Sequence, residues 1–161
     1  MASDYLLEIE GVKGESQDDK HKETIEISSF SWGLSNAGSF QSGGGGGAGK
    51  ANFQDIHFTT TVSKASPKLA EFCAIGKHVK KASLFVRKQG GKQEDFYTIV
   101  LEDLLVSSYQ SGGHEGSTGL PTDQFSLNYA KIDFGYKMQD AKGAVGGPTN
   151  FKYDLKANKT V

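Results

Sequence analysis

The chain has 161 residues, 18 basic and 19 acidic, for a formal net charge of −1. That length suits one domain, 1–161, with its own core. The absence of a basic excess argues against a phosphate-neutralising nucleic-acid binder.

Hydrophobic residues make up 36% of the chain and charged residues 23%, so composition gives no case for disorder. A charge this close to zero does little to oppose self-association. The single cysteine, Cys73, excludes a disulfide within the chain. The first residues, Met1 to Ile9, have no basic region and no long apolar stretch, and no transmembrane run follows. Synthesis is therefore expected to finish in the cytoplasm without membrane insertion, and any export would use a route that reads no N-terminal signal.

Tyr5, Leu7 and Ile9 alternate with Leu6, Glu8 and Glu10, which predicts a first strand. Residues 11–22 are polar and read as a long loop. Ile25 and Ile27 alternate with Glu26 and Ser28, and the apolar phase then slips to Phe30 and Trp32. A one-residue slip inside a strand predicts a β-bulge. Residues 33–50 hold few large apolar side chains and include Gly43, Gly44, Gly45, Gly46 and Gly47. They predict a long flexible loop, unusual enough in a compact domain to suggest a binding role.

Strand pattern returns over 51–62, with Ile56 and Phe58 opposed to Asp55, His57 and Thr59. One helix is predicted next, with Ser66 as N-cap and Pro67 at the first helical position. Its apolar stripe is Leu69, Phe72 and Cys73, and Gly76 ends it. Lys81–Gln89 and Glu94–Val106 flank Gly90 and Gly91, a hairpin signal. A glycine-rich loop is expected over 110–122. Phe125, Leu127 and Tyr129 alternate, and the phase shifts to Ile132, Phe134 and Tyr136, predicting a long bent strand with a second bulge. A last strand follows Gly146, Gly147 and Pro148. These elements predict a mainly β fold: a small barrel or sandwich of two bent antiparallel sheets with one short α-helix.

Chemistry-bearing motifs are scarce. Gly44 to Lys50 fits the first seven positions of a phosphate-binding loop, but Ala51 stands where a Ser or Thr hydroxyl is needed. A strand pattern, not a helix, follows. The histidines His21, His57, His78 and His114 share no metal-like spacing, and Cys73 with His78 gives only two ligands. No serine lies in a nucleophile elbow between strand and helix. No catalytic residue, cofactor or metal is expected.

Several strings taken together resemble the haemolysin-coregulated (Hcp) family of type VI secretion. They are Val12–Ser16, Ser31-Trp32-Gly33, the glycine run ending at Lys50, Gly76-Lys77-His78, Arg87-Lys88 before Gly90-Gly91, Leu105–Ser108 and Phe125–Ala130. They occur in family order and span nearly the whole chain; the match is poorest over 17–24, 34–42 and 110–122. The resemblance implies a small β-barrel with one helix, six copies in a ring, and rings stacked as a tube within a contractile sheath. It also implies a spike protein at the tube tip, small effector proteins in the lumen, and expulsion from the cell. The resemblance is expected to be to a version of the family without a fused C-terminal toxin.

A lumen wall needs a polar strand face. Ser31, Asp55, His57, Thr59, Ser126 and Asn128 are the expected lumen- or cargo-facing residues. Gly43, Gly44, Gly45, Gly46, Gly47 and Lys50, with Gly90 and Gly91, are the expected contacts between subunits or rings. The rival reading is a secreted β-sandwich module binding carbohydrate or protein, for which Trp32 is the only tryptophan available.

Overall fold

The computed structural model describes residues 3–38, 50–89, 94–116, 119–139 and 145–161. The strands are β1 (Ser3–Ile9), β2 (Ile25–Glu26), β3 (Ser29–Ser31), β4 (Leu34–Ser35), β5 (Asn52–Phe53), β6 (Ile56–Thr61), β7 (Val79–Lys88), β8 (Asp95–Gly112), β9 (Thr122–Gln139), β10 (Val145–Asp154) and β11 (Lys159–Thr160). The helix α1 spans Ala65–Ile75. The fold is mainly β, antiparallel in its pairings, with one short helix, as the sequence predicts.

The main sheet runs β11-β10-β9-β8-β7-β1-β2, with β6 on the first half of β9 and β3 on β6. Strands β8 and β9, each of 18 residues, serve both halves of the molecule. The start of β8 pairs with β7 and the end of β9 with β10, whereas the start of β9 pairs with β6. Between β2 and β3 the chain changes partner. Ile27 N–H bonds the Tyr5 carbonyl at 2.9 Å, and Ser28 N–H bonds the Thr59 carbonyl at 2.8 Å. Residues 25–31 thus carry the wrap from β1 to β6.

That exchange explains the first phase slip. Ile25 and Ile27 are buried against β1, while Phe30 packs from the neighbouring strand. The slip is a break between two strands and not the predicted bulge. The second slip also has no bulge in β9. Pairing of β8 with β9 keeps one register from Val100↔Asp133 to Val106↔Leu127. Asp103 and Ala130 lie in between, and Asp103 has φ of 53°. Both strands change phase there together, so no residue is inserted. The bulge sits in β8, where the register shifts between Val106 and Ser108.

The predicted loop over 110–122 is shorter, because β8 continues to Gly112 and β9 begins at Thr122. Likewise β4, inside the segment 33–50 read as a loop, pairs with β5, inside the predicted strand region 51–62, as a short ladder, Leu34↔Phe53 and Ser35↔Asn52. Phe53 stacks on Tyr153 with ring centroids 4.9 Å apart, which fixes that ladder to β10.

Helix α1 covers one end of the wrap with Leu69 and Phe72, both buried in the core. Burying each such side chain contributes on the order of 2 kcal/mol. The N-cap prediction fails. Ser66 is inside the first turn and buried, its hydroxyl bonded to the Asp123 carboxylate. Ser63 does the capping, accepting the Ala65 N–H at 3.2 Å. The C-terminal prediction holds: Gly76 is left-handed, at φ 60°. Its N–H bonds the Cys73 carbonyl, and the Lys77 N–H bonds that of Phe72, as in a Schellman motif.

Residues 11–24 form an ordered strap. At Gly14 a Cβ would overlap the Thr24 carbonyl, so only glycine allows this approach. The Arg87 guanidinium grips Asp18 and lies 3.5 Å from Asp4. His21 stacks on Phe85, centroids 4.1 Å apart, and its Nε2 lies 3.0 Å from the Asp95 carboxylate.

Arg87, together with the backbone N–H groups of His21 and Lys20, holds the Asp18 carboxyl below the usual carboxylate range, against a smaller opposing effect of burial. A depressed folded-state pKa means this stabilisation is complete above the unfolded pKa of about 4 and is lost as pH falls through the folded value. Hydrogen-exchange protection over residues 14–24, taken relative to the intrinsic rate at each pH, is expected to fall selectively below about pH 4. Asp18→Asn should show fast exchange there already at neutral pH; unchanged protection would exclude this anchor.

Candidate functional site: a polar sheet face

The most distinctive surface is the outer face of the four-stranded patch β3-β6-β9-β8. Its cross-strand rows follow from register. Ser31 pairs with His57, His57 with Ser126, and Ser126 with Ser108. In the next row Ser29 pairs with Thr59, Thr59 with Gln124, and Gln124 with Gln110. Between them, on the opposite face, lies the row Phe30, Phe58, Phe125, Tyr109. Phe58 and Phe125 are fully buried and stacked at 5.2 Å. The aromatic row points to the core and so forces the hydroxyl and amide rows outward.

Asp55 is the one carboxylate among the residues predicted for this face, and it is held by its neighbours. It accepts bonds from Asn128 Nδ2 at 2.8 Å and Ser107 Oγ at 2.7 Å. Tyr129, buried beneath, donates its hydroxyl to the Gln54 carbonyl at 2.9 Å and fixes the chain just before Asp55. Burial, and secondarily the Asp55 charge, pushes the Tyr129 hydroxyl pKa up to about 12. Tyr129 therefore stays a neutral donor.

The structure brings all six predicted polar residues to one face. Ser31, His57 and Asn128 are exposed, and Asp55 and Thr59 are half-buried. Ser126 is only 2% exposed, under the hydroxyls of Ser107 and Ser108, and acts as a framework residue there. Of the other expected contacts, Lys50 is exposed at the foot of the β4–β5 ladder. Gly43, Gly44, Gly45, Gly46, Gly47, Gly90 and Gly91 lie outside the described residues.

Sequence reasoning missed Thr61, Ser108, Gln110, Thr122 and Gln124 on the same face. A signal existed in β8. Its buried residues run Ile99, Leu101, then Leu104, Val106, then half-buried Tyr109. Each three-residue step marks a change of phase, the first at Asp103 and the second at the Ser107-Ser108 bulge.

The rival readings gain nothing. Trp32 packs edge-on against Phe134 at 5.5 Å and gives its indole N–H to the Tyr97 hydroxyl at 3.3 Å. It is not a free sugar-stacking platform. Lys50 leads into strand β5, not into a helix N-terminus. Among the described residues no three His, Cys, Asp or Glu side chains gather as metal ligands, and no helix is long and apolar enough to cross a membrane.

Fold and face together describe a bent, barrel-like β subunit whose most distinctive feature is a broad polar sheet. Residues 6–136 match the family described as type VI secretion system effector, Hcp. The chain is 43% identical to protein hcp1 of Pseudomonas aeruginosa over 160 residues, 98% of each chain. It superposes on the solved structure of a type six secretion system protein with a TM-score of 0.94 and 32% identity, covering 99% of this chain and 100% of the other. Hcp1 from Salmonella typhimurium gives a TM-score of 0.80 and 30% identity, with both chains fully covered. The chain belongs to the Hcp family, and is a structural subunit of the type VI secretion tube.

Asp55→Ala removes the acceptor shared by Ser107 and Asn128. At this partly exposed position the expected loss is about 1 kcal/mol, measured by urea denaturation. Asp55→Asn should recover part of it. A loss near zero would show that Asp55 does not tie β6 to β8 and β9.

Proposed function

We propose that six copies close into a ring through the edges of the β3-β6-β9-β8 patch, and that rings stack into a hollow tube with the polar face lining the lumen. One observation carries this reading: the patch ends in open edges on both sides. Among the described residues β3 pairs only with β6, and residues 105–112 of β8 pair only with β9. An open edge is a template for another chain, and unlike edges meeting head-to-tail close a ring by rotation. The polar rows then face the ring's interior, and the charge on that face is small.

The family supports the remainder of the reading. The tube assembles inside a contractile sheath, carries a spike at its tip, holds small effector proteins in its lumen and is expelled from the cell. Its task is mechanical delivery and needs no catalytic residue or cofactor. Effector contact falls to the exposed members of the face, with Ser31 and His57 adjacent in one row. The glycine segments 43–47 and 90–91, with Lys50, serve contacts between subunits or rings.

Solution mass by sedimentation is expected to give six chains per particle. Ser31→Arg should keep that mass and lower retention of a co-expressed effector at least about tenfold, as expected for an unpaired cation against a packed interface. A monomer at high concentration would overturn ring formation. Six-chain particles with unchanged retention would overturn the assignment of the face.

A further inference from the structure

The polar face divides into two parts. Asp55, Ser107, Ser108, Ser126 and Asn128 bond one another in a network that uses up their side chains. The neighbouring row of Thr59, Gln124 and Gln110 does not join it. Among the described residues, no side-chain hydrogen bond or ion pair involves His57, Thr59, Gln110 or Gln124. A cavity of about 300 Å³ opens over this second part, lined by His57, Thr59, Ser108, Gln110 and Gln124 among others. Its place follows from the bulge. Ser107 and Ser108 both reach Ser126 across the register shift, so β8 bends there and leaves a depression beside the two amides. The sheet beneath is fixed, with Ser126 2% exposed and Phe58 stacked on Phe125 on the opposite face.

The walls of this cavity carry no fixed charge. The row through His57, the row through Thr59 and the next row, Thr61, Thr122 and Gly112, hold no Lys, Arg, Asp or Glu, although 23% of the chain is charged. Gln110 and Gln124 stand opposite each other on β8 and β9, which sets their Cβ atoms about 5 Å apart. Each carboxamide offers two N–H donors and a carbonyl acceptor. A charged group entering here would shed water and meet no counter-charge, and an apolar group would leave the amides unpaired. A carboxamide avoids both losses, because its own N–H and C=O match theirs.

We propose that this cavity is a cargo subsite that takes the carboxamide side chain of an Asn or Gln on an effector protein. Gln124 is its central residue, with Gln110 on one side and Thr59 on the other. At about 300 Å³ the cavity lies at the small end of ligand sites. It has room for a side chain and not for a folded surface. The cavity faces cargo only on the ring reading above, on which this inference rests, and the subsite names the chemistry that the face selects.

The test uses the full chain and four blocked pentapeptides that carry Gln, Glu, Lys or Ala between glycines, with binding followed by saturation-transfer NMR and particle mass by sedimentation. The Gln peptide should bind wild-type rings with a Kd on the order of 1 mM. The other three should bind at least about tenfold more weakly. Gln124 lies away from the open edges, so Gln124→Leu should keep the six-chain mass, which also shows that the fold is kept, and weaken the Gln peptide at least about tenfold. Gln124→Glu should move the preference to the Lys peptide. Should a variant fail to assemble, the wild-type comparison among the four peptides decides alone. Equal binding of the Gln, Glu, Lys and Ala peptides, no binding of the Gln peptide up to about 50 mM, or unchanged binding to Gln124→Leu overturns this inference, and the ring reading stands as long as particles hold six chains. A monomeric wild type overturns the ring reading, and the subsite falls with it.

Discussion

The antiparallel pairing of β8 with β9 is the constraint on which the rest of the structure depends. Both strands are too long to belong to one flat sheet, and both change phase where Asp103 lies across from Ala130. On one side of that bend the pair continues into β7, β1 and β10. On the other side it continues into β6 and β3. The bend turns one ladder into two walls, and the buried residues Leu101, Leu104, Leu127 and Ile132 fill the angle between them. If the two strands changed phase at different points, one would present apolar side chains to solvent along half its length.

The walls have different work. The β3-β6-β9-β8 wall shows hydroxyl and amide side chains outward, and among the described residues its β3 edge and residues 105–112 of β8 have no further strand partner. The β1-β7-β8-β9-β10 wall bears charged side chains in its outer rows and is clasped by the 11–24 strap. Asp18, His21 and Arg87 hold that strap against the sheet. Buried networks lock the remaining joints. Asp123 is fully buried, bonded by Ser66 from the helix and by the Tyr109 hydroxyl at 2.9 Å. This couples α1 to both long strands, and burial, reinforced by the Asp123 charge, pushes the Tyr109 hydroxyl above its ordinary range.

The proposed ring places this molecule's function on its surfaces and edges. That suits a part used in many identical copies, whose interfaces all have to be encoded in one chain. The glycine motif ending at Lys50 leads into strand β5.

The sequence by itself determined the composition of the elements. Alternation marked the strands, Gly76 fixed the end of the helix, and Asp55, His57 and Thr59 were legible as one polar face because side-chain direction has a period of two. The family was legible too, since its strings occur in order along the chain. The tertiary structure alone decided what the phase slips mean. One proved to be a change of partner between β2 and β3, and the other a bend shared by β8 and β9, because a slip in one strand does not say what its neighbour does. It also decided that Ser66 is a buried anchor and that Ser126 is covered by two neighbouring hydroxyls. Local propensity places a serine at a turn or on a face; only the side chains brought near it, here Asp123 and the Ser107-Ser108 bulge, determine whether it meets water.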